Sequence, residues 1–395
     1  MENKEKAIYI VGSISLPRVD AGASRVLELS KGFKKYFDKV IIAGKYDKEP
    51  HKEYNYDDKI VFLPYHKIDM TSVLDKFNII FNPSKFIVPD LMHALDKYEI
   101  THILIYSAMA IETVKKIVRI AKKHNIKLVY DVVEFQTTGA QTISSYFSYY
   151  IPNIYMNKKL IKNGDNVIAI SSYLYKYFKK RGCNTELIPF VFDTKRIAYH
   201  QEPINNGKLQ LVYAGSPKKN KDYLDIAIKG IFLLKEEDRK KINFSIAGIS
   251  KEEYIKKHKA SKKIIEALHG CITFLGKITN LDVQKLYSKS NFSVLVRDGE
   301  SRLSMAGFPT KISESLVNGV PIICNLSSDL GNYLKDDYNA IIVNDSSPEE
   351  FSKCLLKALS KSCNELNEMR KQARLTSEEK LDVSLFDNQI KNVFN

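Results

Sequence analysis

Apolar residues along this chain fall in short unbroken runs, separated by stretches where they recur every three or four positions. Unbroken runs read as strands buried on both faces of a parallel sheet, and the spaced stretches as helices that cover them. In the first half the runs are Ala7–Val11, Val40–Ala43, Ile60–Leu63, His102–Tyr106, Lys127–Tyr130 and Asn166–Ile170. Between them, Ser24–Phe37 keeps Val26, Leu29, Phe33 and Phe37 at helical spacing. Ile188–Asp193 closes this half, and the polar run His200–Lys208, with Pro203 and Gly207, reads as a linker. The second half restarts at Leu209–Ala214 and continues with Asn243–Ala247, Ile272–Leu275, Phe292–Val296, Val320–Cys324 and Ala340–Val343. Helices are expected at Pro348–Leu359, Arg370–Lys380 and Ser384–Phe394. Strands alternating with helices in both halves predict two α/β domains, residues 1–200 and 201–375, with 376–395 beyond them.

One segment reads as a complete unit. Phe308–Ile323 opens a helix at Pro309, closes it at Asn318-Gly319 and feeds a strand. Proline suits a first helical turn because its missing N–H has no intrahelical partner there, and glycine suits the left-handed residue past the end. Lys311, Glu314 and Ser315 then share one face, with Ile312 and Leu316 on another. A cation and a carboxylate near the positive end of a helix suit a phosphate with an attached sugar. Amides and Lys311 would take the phosphate, and Glu314 would accept from ribose hydroxyls. A solvated pair on an ordinary helix–strand unit is the plain alternative.

Other strand ends carry similar chemistry. Asp20–Arg25 places Gly22 at a strand-to-helix junction, where backbone amides can approach an anion. It is not G-x-G-x-x-G, so a dinucleotide cofactor is not expected. Tyr213–Tyr223 repeats the arrangement with Gly215, Lys218 and Lys221. Arg297–Arg302 lies between a strand and the helix segment, and Val129–Gln136 brings Glu134 to a strand end. Ligands of open parallel sheets lie beyond the carboxyl ends of the strands, so the glycine- and cation-bearing loops are the candidates for a diphosphate site, and Glu134 for sugar hydroxyls.

On these residues the chain resembles family 4 glycosyltransferases, which have two Rossmann-like domains (the GT-B fold) facing across a cleft and retain anomeric configuration. Bacterial cell-surface polysaccharide enzymes are the nearest kind. The resemblance covers most of the chain and is stronger in the second half. It implies that the last helix crosses back onto the first domain. Asp20–Arg25 resembles the family's Gly-Gly-Ala-x-Arg loop, which gives Gly22 and Arg25 a place at the donor pyrophosphate or acceptor. In the second loop Lys221 matches the family's lysine after Gly215, but Ser216 replaces its arginine, leaving Lys218 or Arg297 as the second cation. Two glutamates seven residues apart are typical; Glu314 is the second, and Ala306 stands at the first. Asp298 or Glu300 are the candidates to replace that carboxylate, and Gly307 and Phe308 would offer backbone amides to the β-phosphate. Glu134 takes roughly the place of a histidine that touches the donor sugar. The resemblance thus implies catalytic roles for Glu134, Lys221 and Lys311, and donor contacts from Gly22, Arg25, Gly215, Lys221, Arg297, Gly307, Phe308, Lys311 and Glu314. The implied reaction moves a sugar from a nucleoside-diphosphate sugar to a hydroxyl of a glycan or lipid-linked acceptor in cell-surface polysaccharide synthesis. A nucleotide-sugar 2-epimerase of the same architecture and a non-catalytic scaffold are the competing readings.

Composition narrows this only a little. At 395 residues, 44% hydrophobic and 27% charged, the chain suits two soluble domains. Five scattered cysteines argue for reduced thiols in a cytoplasm, and Met1–Lys6 runs straight into a strand, so a signal peptide is not expected. The net charge of +15 is spread along the chain with no nucleic-acid module, so nucleic acid is not an expected partner. Contact of that basic surface with the inner face of an anionic membrane is a further expectation. No histidine or carboxylate spacing suits a metal, and no cofactor is expected besides the donor substrate. The aromatic run Tyr146–Tyr155 reads as a core-packing helix in preference to a surface for a bilayer or a glycan.

Overall fold

The computed structural model describes residues 4–16, 20–46, 54–64, 72–136, 145–197, 199, 207–217, 222–299 and 301–395. The chain divides into two compact units, Met1–Asp193 with Val383–Asn395, and Thr194–Asp382. These borders differ from 200/201 and 375/376, because a polar composition marks a loop and not the place where the backbone changes partners. Val383 N–H donates to Phe192 O at 2.8 Å in the first unit, and Thr194 N–H donates to Asp382 Oδ2 at 3.0 Å in the second.

In the first unit the described strands are β1 (Lys6–Leu16), β2 (Lys39–Tyr46), β3 (Tyr54–Asn55), β4 (Ile60–Pro64), β5 (Glu99–Tyr106), β6 (Lys127–Val132), β7 (Asn166–Ala169) and β8 (Asn184–Leu187). They form one sheet in the order β3-β4-β2-β1-β5-β6-β7-β8, parallel except where β3 meets β4. Ala7–Val11 at its centre is almost wholly buried, which is why it reads as an unbroken apolar run. The helix Ala21–Phe33 starts at Asp20, whose carboxylate accepts from Ala23 N–H at 2.9 Å. It begins before the expected Ser24 and ends before Phe37, where the chain turns into β2. The closing helix Asp387–Phe394 seats Phe394 against Phe33 and Phe37, with ring centroids 5.0 Å apart in each case.

One expectation fails here. Tyr146–Tyr150 is a π-helical turn with no buried residue, and Phe147 is 56% exposed, so the aromatic run does not pack inward as a whole. The buried positions are Pro152, Asn153, Met156 and Asn157 further along. Aromatic spacing alone could not separate a covered face from an exposed one.

The second unit holds β9 (Leu209–Ala214), β10 (Ile242–Ala247), β11 (Ile272–Gly276), β12 (Phe292–Leu295), β13 (Ile322–Cys324) and β14 (Ala340–Ile342). All neighbours are parallel, in the order β11-β10-β9-β12-β13-β14. Counted within the unit this is 3-2-1-4-5-6, the doubly wound order, whose topological switch lies between its first and fourth strands. Those strands are β9 and β12, and their carboxyl ends lead to Gly215 and Arg297. Ile312 and Leu316 pack the helix Thr310–Val317 onto this sheet, both fully buried. Pro309 is its N-cap and Gly319 follows its end at φ +65°, the left-handed conformation expected there. A Cβ at Gly319 would lie 2.2 Å from the Tyr199 ring, so the position is closed to larger residues twice over.

Candidate functional site

The switch point of the second sheet gathers a buried charge cluster. Asp222 lies just before the helix Leu224–Leu233, and Arg297 follows β12; the two are joined by an isolated antiparallel bridge. Tyr223 N–H donates to Val296 O at 2.8 Å, which fastens one strand-end loop to the other. Asn325, just past β13, clamps the Arg297 backbone: Arg297 N–H donates to its Oδ1 at 2.8 Å, and its Nδ2 donates to Arg297 O at 2.7 Å.

Onto this frame the side chains converge. Lys311 Nζ and the Tyr213 hydroxyl both donate to Asp222 Oδ2, at 2.7 and 2.8 Å, while Arg297 Nε lies 3.2 Å from Oδ1. Burial pushes the Asp222 carboxyl up, but Lys311 and Arg297 outweigh it and hold the group down to about 2. Burial, with Asp222 beside it, pushes the Tyr213 hydroxyl well above its ordinary value, so it stays a donor. Side-chain exposure separates the members: Asp222 and Arg297 are each 6% exposed, Lys311 20%. Lys311 is therefore the cation that faces outward, and Arg297 stands behind the carboxylate. The lysine also lies over the Tyr213 ring, 5.1 Å from its centroid.

Gly215 makes room for that lysine. Its φ is +143°, and a Cβ there would lie 2.3 Å from Lys311 Cε. Its amide donates to Ala247 O at 2.9 Å, so its contribution is space and not a free donor. Lys311 sits at the second position of its helix, and the first amides of any helix lack intrahelical acceptors. Pro309 provides no side-chain cap for them.

The other expected residues divide. Glu314 lies one turn along the same helix and is partly buried; burial pushes its carboxyl up against the opposing pull of Lys311. Ser315 does not join them, because it is fully buried with its hydroxyl donating to Val320 O at 2.7 Å. Gly307 ends the short helix Arg302–Ala306 and its N–H donates to Leu303 O at 3.2 Å, so that amide is already engaged. Phe308 turns its ring inward onto Tyr333, with centroids 5.4 Å apart, which leaves only its backbone for a ligand. Asp298 accepts from Ser301 N–H at 3.3 Å. Lys218, Lys221 and Glu300 lie outside the described residues.

In the first unit, Arg25 requires a correction. Its side chain is 1% exposed and pairs with Asp131, Nη2 to Oδ1 at 2.7 Å and Nε to Oδ2 at 2.9 Å. It also donates to Pro189 O at 2.8 Å and Ile188 O at 3.1 Å. A guanidinium enclosed and paired in this way ties its own helix to two strand ends and is not presented to a donor. Gly22 is the second residue of its helix, and a Cβ there would lie 3.0 Å from the Tyr106 hydroxyl. Glu134 follows β6 and is partly buried; its carboxylate accepts from Gln136 Nε2 at 3.0 Å, and its carbonyl from Asn153 Nδ2 at 3.2 Å.

Two places stand out that sequence reasoning passed over. Tyr106, at the end of β5, is buried, and burial together with Asp131 raises its hydroxyl against the opposing Arg25. Ser107 after it adopts φ +57°, uncommon for a residue with a side chain, with its amide held by Asp131 O at 3.0 Å. The second is Asp222, which sits beside Lys221 in a lysine-rich turn. An acidic residue following a cluster of lysines there was the available signal.

Residues 195–376 match the family model described as glycosyl transferases group 1. An uncharacterized glycosyltransferase of Methanocaldococcus jannaschii, MJ1178, is 25% identical over 210 residues, 52% of this chain and 52% of its own length. The chain thus spans about half the length of that curated relative. Among solved structures, Anabaena HepE in complex with UDP and glucose superposes with a TM-score of 0.67 at 14% identity, covering 98% of each chain. Sucrose-phosphate synthase from Thermosynechococcus elongatus gives 0.72 at 12% identity, covering 99% of this chain and 98% of that one. Identities this low speak for fold alone. Both units have the parallel α/β architecture of GT-B glycosyltransferases, and the stretch 195–376, nearly all of the second unit, matches the glycosyl transferases group 1 model.

Proposed function

We propose that the protein is a retaining glycosyltransferase that takes a nucleoside-diphosphate sugar at the switch point of its second sheet. The observation that carries this reading is the meeting of Lys311, Asp222 and Arg297 beside Gly215, inside a stretch that matches the group 1 model. An outward-facing cation beside the start of a helix that has no side-chain cap is suited to a phosphate. Lys311 and the amides of its helix start take the diphosphate, Lys221 adds a second cation, and Glu314 accepts from the ribose. As the bond to the sugar lengthens, negative charge grows on the departing phosphate. Cations and amides fixed in advance stabilise it there, while the sugar approaches an oxocarbenium ion.

The acceptor belongs to the first unit, where Gly22, Tyr106 and Glu134 share the carboxyl edge of the sheet. A glycan or lipid-linked hydroxyl in cell-surface polysaccharide synthesis is the acceptor class, in the cytoplasm or at the inner face of the membrane. Among the described residues no helix is long and apolar enough to cross a membrane, and no three His, Cys, Asp or Glu side chains gather in a way that could hold a metal ion.

A panel of nucleoside-diphosphate sugars tests this, read as release of the nucleoside diphosphate. Because HepE was solved with UDP and glucose, UDP-glucose comes first. One donor should stand out, and Glu314→Ala should weaken its binding about tenfold or more while the fold persists. Failure of the wild-type protein to bind any donor would reject the reading.

A further inference from the structure

We infer that Asp222 is the positioning residue of this site: a carboxylate held from behind by Arg297 that fixes Lys311 where charge develops on the leaving phosphate. The inference rests on the reading above and adds a role for a residue that never touches the donor. Three donors meet one carboxylate. Arg297 Nε approaches Oδ1 at 3.2 Å, and Tyr213 OH and Lys311 Nζ share Oδ2 at 2.8 and 2.7 Å. Arg297 is itself immobilised by the Asn325 clamp on its backbone, and Tyr213 lies within β9. Lys311 is the member carried within a helix, and it is the most exposed. Its four-carbon stem would otherwise sample many rotamers, whose ordering costs entropy. Asp222 removes that freedom before the donor arrives, and Gly215 leaves the stem the space to reach it.

The carboxylate also changes the charge of the cluster. With Asp222 ionised, two cations and one anion leave a net charge of +1; without it the cluster carries +2. A diphosphate in the ground state would therefore bind Asp222→Asn at least as well as the wild type. The transition state depends on where the cation stands, not only on how much charge is near. Loss of position lowers kcat, and a ground state held equally or better keeps binding intact. That split distinguishes positioning from simple support of the fold, which would weaken both together.

The experiment measures two quantities on Asp222→Asn: the Kd for UDP by calorimetry, and kcat for the donor selected by the panel above. We expect kcat to fall about tenfold to a hundredfold while the Kd for UDP stays equal or tightens. In a Lys311→Ala background the same change should cost kcat little more, because the two residues act through one another. A Kd that weakens in step with kcat, an unchanged kcat, or additive losses in the double variant would each overturn the inference. If Asp222→Asn does not fold, Tyr213→Phe removes one donor and no charge; it should lower kcat about threefold or more with the Kd unchanged, and an unaltered kcat there counts against the inference. Wild-type protein that binds no nucleoside diphosphate defeats the transferase reading instead, so the two failures are distinct.

Discussion

In the first unit, Asp131 at the end of β6 meets Arg25 with exposures of 0 and 1%. In the second, Asp222 meets Arg297 and Lys311 with exposures of 6, 6 and 20%. Both carboxylates lie at the carboxyl edge of a doubly wound sheet, where ligands of such folds bind. The pairings differ in what the cations do next. Arg25 directs its other N–H groups to the carbonyls of Ile188 and Pro189, so its charge is consumed within the unit. Lys311 has its outer side in solvent and stands at the start of a helix that no side chain caps. A buried ion pair is weak evidence for stability and none for function. Only the exposure of one partner turns the second cluster into a candidate site.

The largest expected effect comes from breaking the sealed pair. Arg25→Ala leaves Asp131 charged in a fully enclosed position and should cost the first unit about 3–5 kcal/mol, measured by urea unfolding. UDP affinity of whatever fraction stays folded should be unchanged. A variant of normal stability with impaired donor binding would reverse the comparison and return Arg25 to the site.

Acid should separate the units next. Burial, then Lys127 and Lys6, lower the His102 imidazole to about 4, although the Phe394 carbonyl 3.0 Å from Nε2 works the other way. A histidine whose folded value lies below its ordinary 6.5 contributes stability above that pH, and the contribution is lost as pH falls from 6.5 through about 4. The loss amounts to about 3 kcal/mol in the first unit. The depressed Asp222 contributes in the second unit above 3.8, and its share disappears only as pH falls toward 2. Hydrogen exchange followed by unit should show the first unit loosening at pH 5 while the second holds. His102→Gln should flatten the response of the first.

Much of this architecture was legible in the chain, and the unread parts share a cause. Strands buried on both faces, such as Ala7–Val11 and Leu209–Ala214, announce themselves by unbroken apolar runs. The edge strands β3 and β8, Tyr54–Asn55 and Asn184–Leu187, are short and partly exposed, and nothing in their composition marks them. Lys311, Glu314 and Gly215 were readable because helix spacing and glycine at a strand end are local signals. Arg25 misled for the same reason: its loop carries a site-like pattern, and its partner Asp131 lies 106 residues away. Asp222 was missed because its meaning depends on Arg297 and Lys311, which only the strand order brings to it. Ser107 left no trace either, since a strained φ is set by the surrounding structure.

The open cluster should respond in the opposite sense to the sealed one. Lys311→Ala removes a partly exposed cation and leaves Asp222 paired with Arg297, so it should cost less stability than Arg25→Ala. Donor affinity, however, should fall about tenfold to thirtyfold, because a charged hydrogen bond to phosphate is lost. A titration with UDP and a parallel melting curve separate the two readouts. A large stability loss with unchanged affinity would make the second cluster a copy of the first.

Gly215→Ala is the finest probe, since it moves the lysine without deleting any charge. A methyl group at 2.3 Å from Cε must displace the side chain, and the stem is flexible enough to yield. The backbone is less forgiving: φ +143° suits glycine and should cost alanine about 1–2 kcal/mol. If Lys311 owes its effectiveness to the place Asp222 gives it, this variant should lose turnover beyond what its modest stability loss explains. Its affinity for UDP should fall less than that of Lys311→Ala, because the cation is still nearby. A sealed ion pair would show no such graded response, for it has no ligand to misplace. Turnover that follows the melting temperature alone would mean that the lysine's position is unimportant, and the contrast between the two clusters would then reduce to exposure.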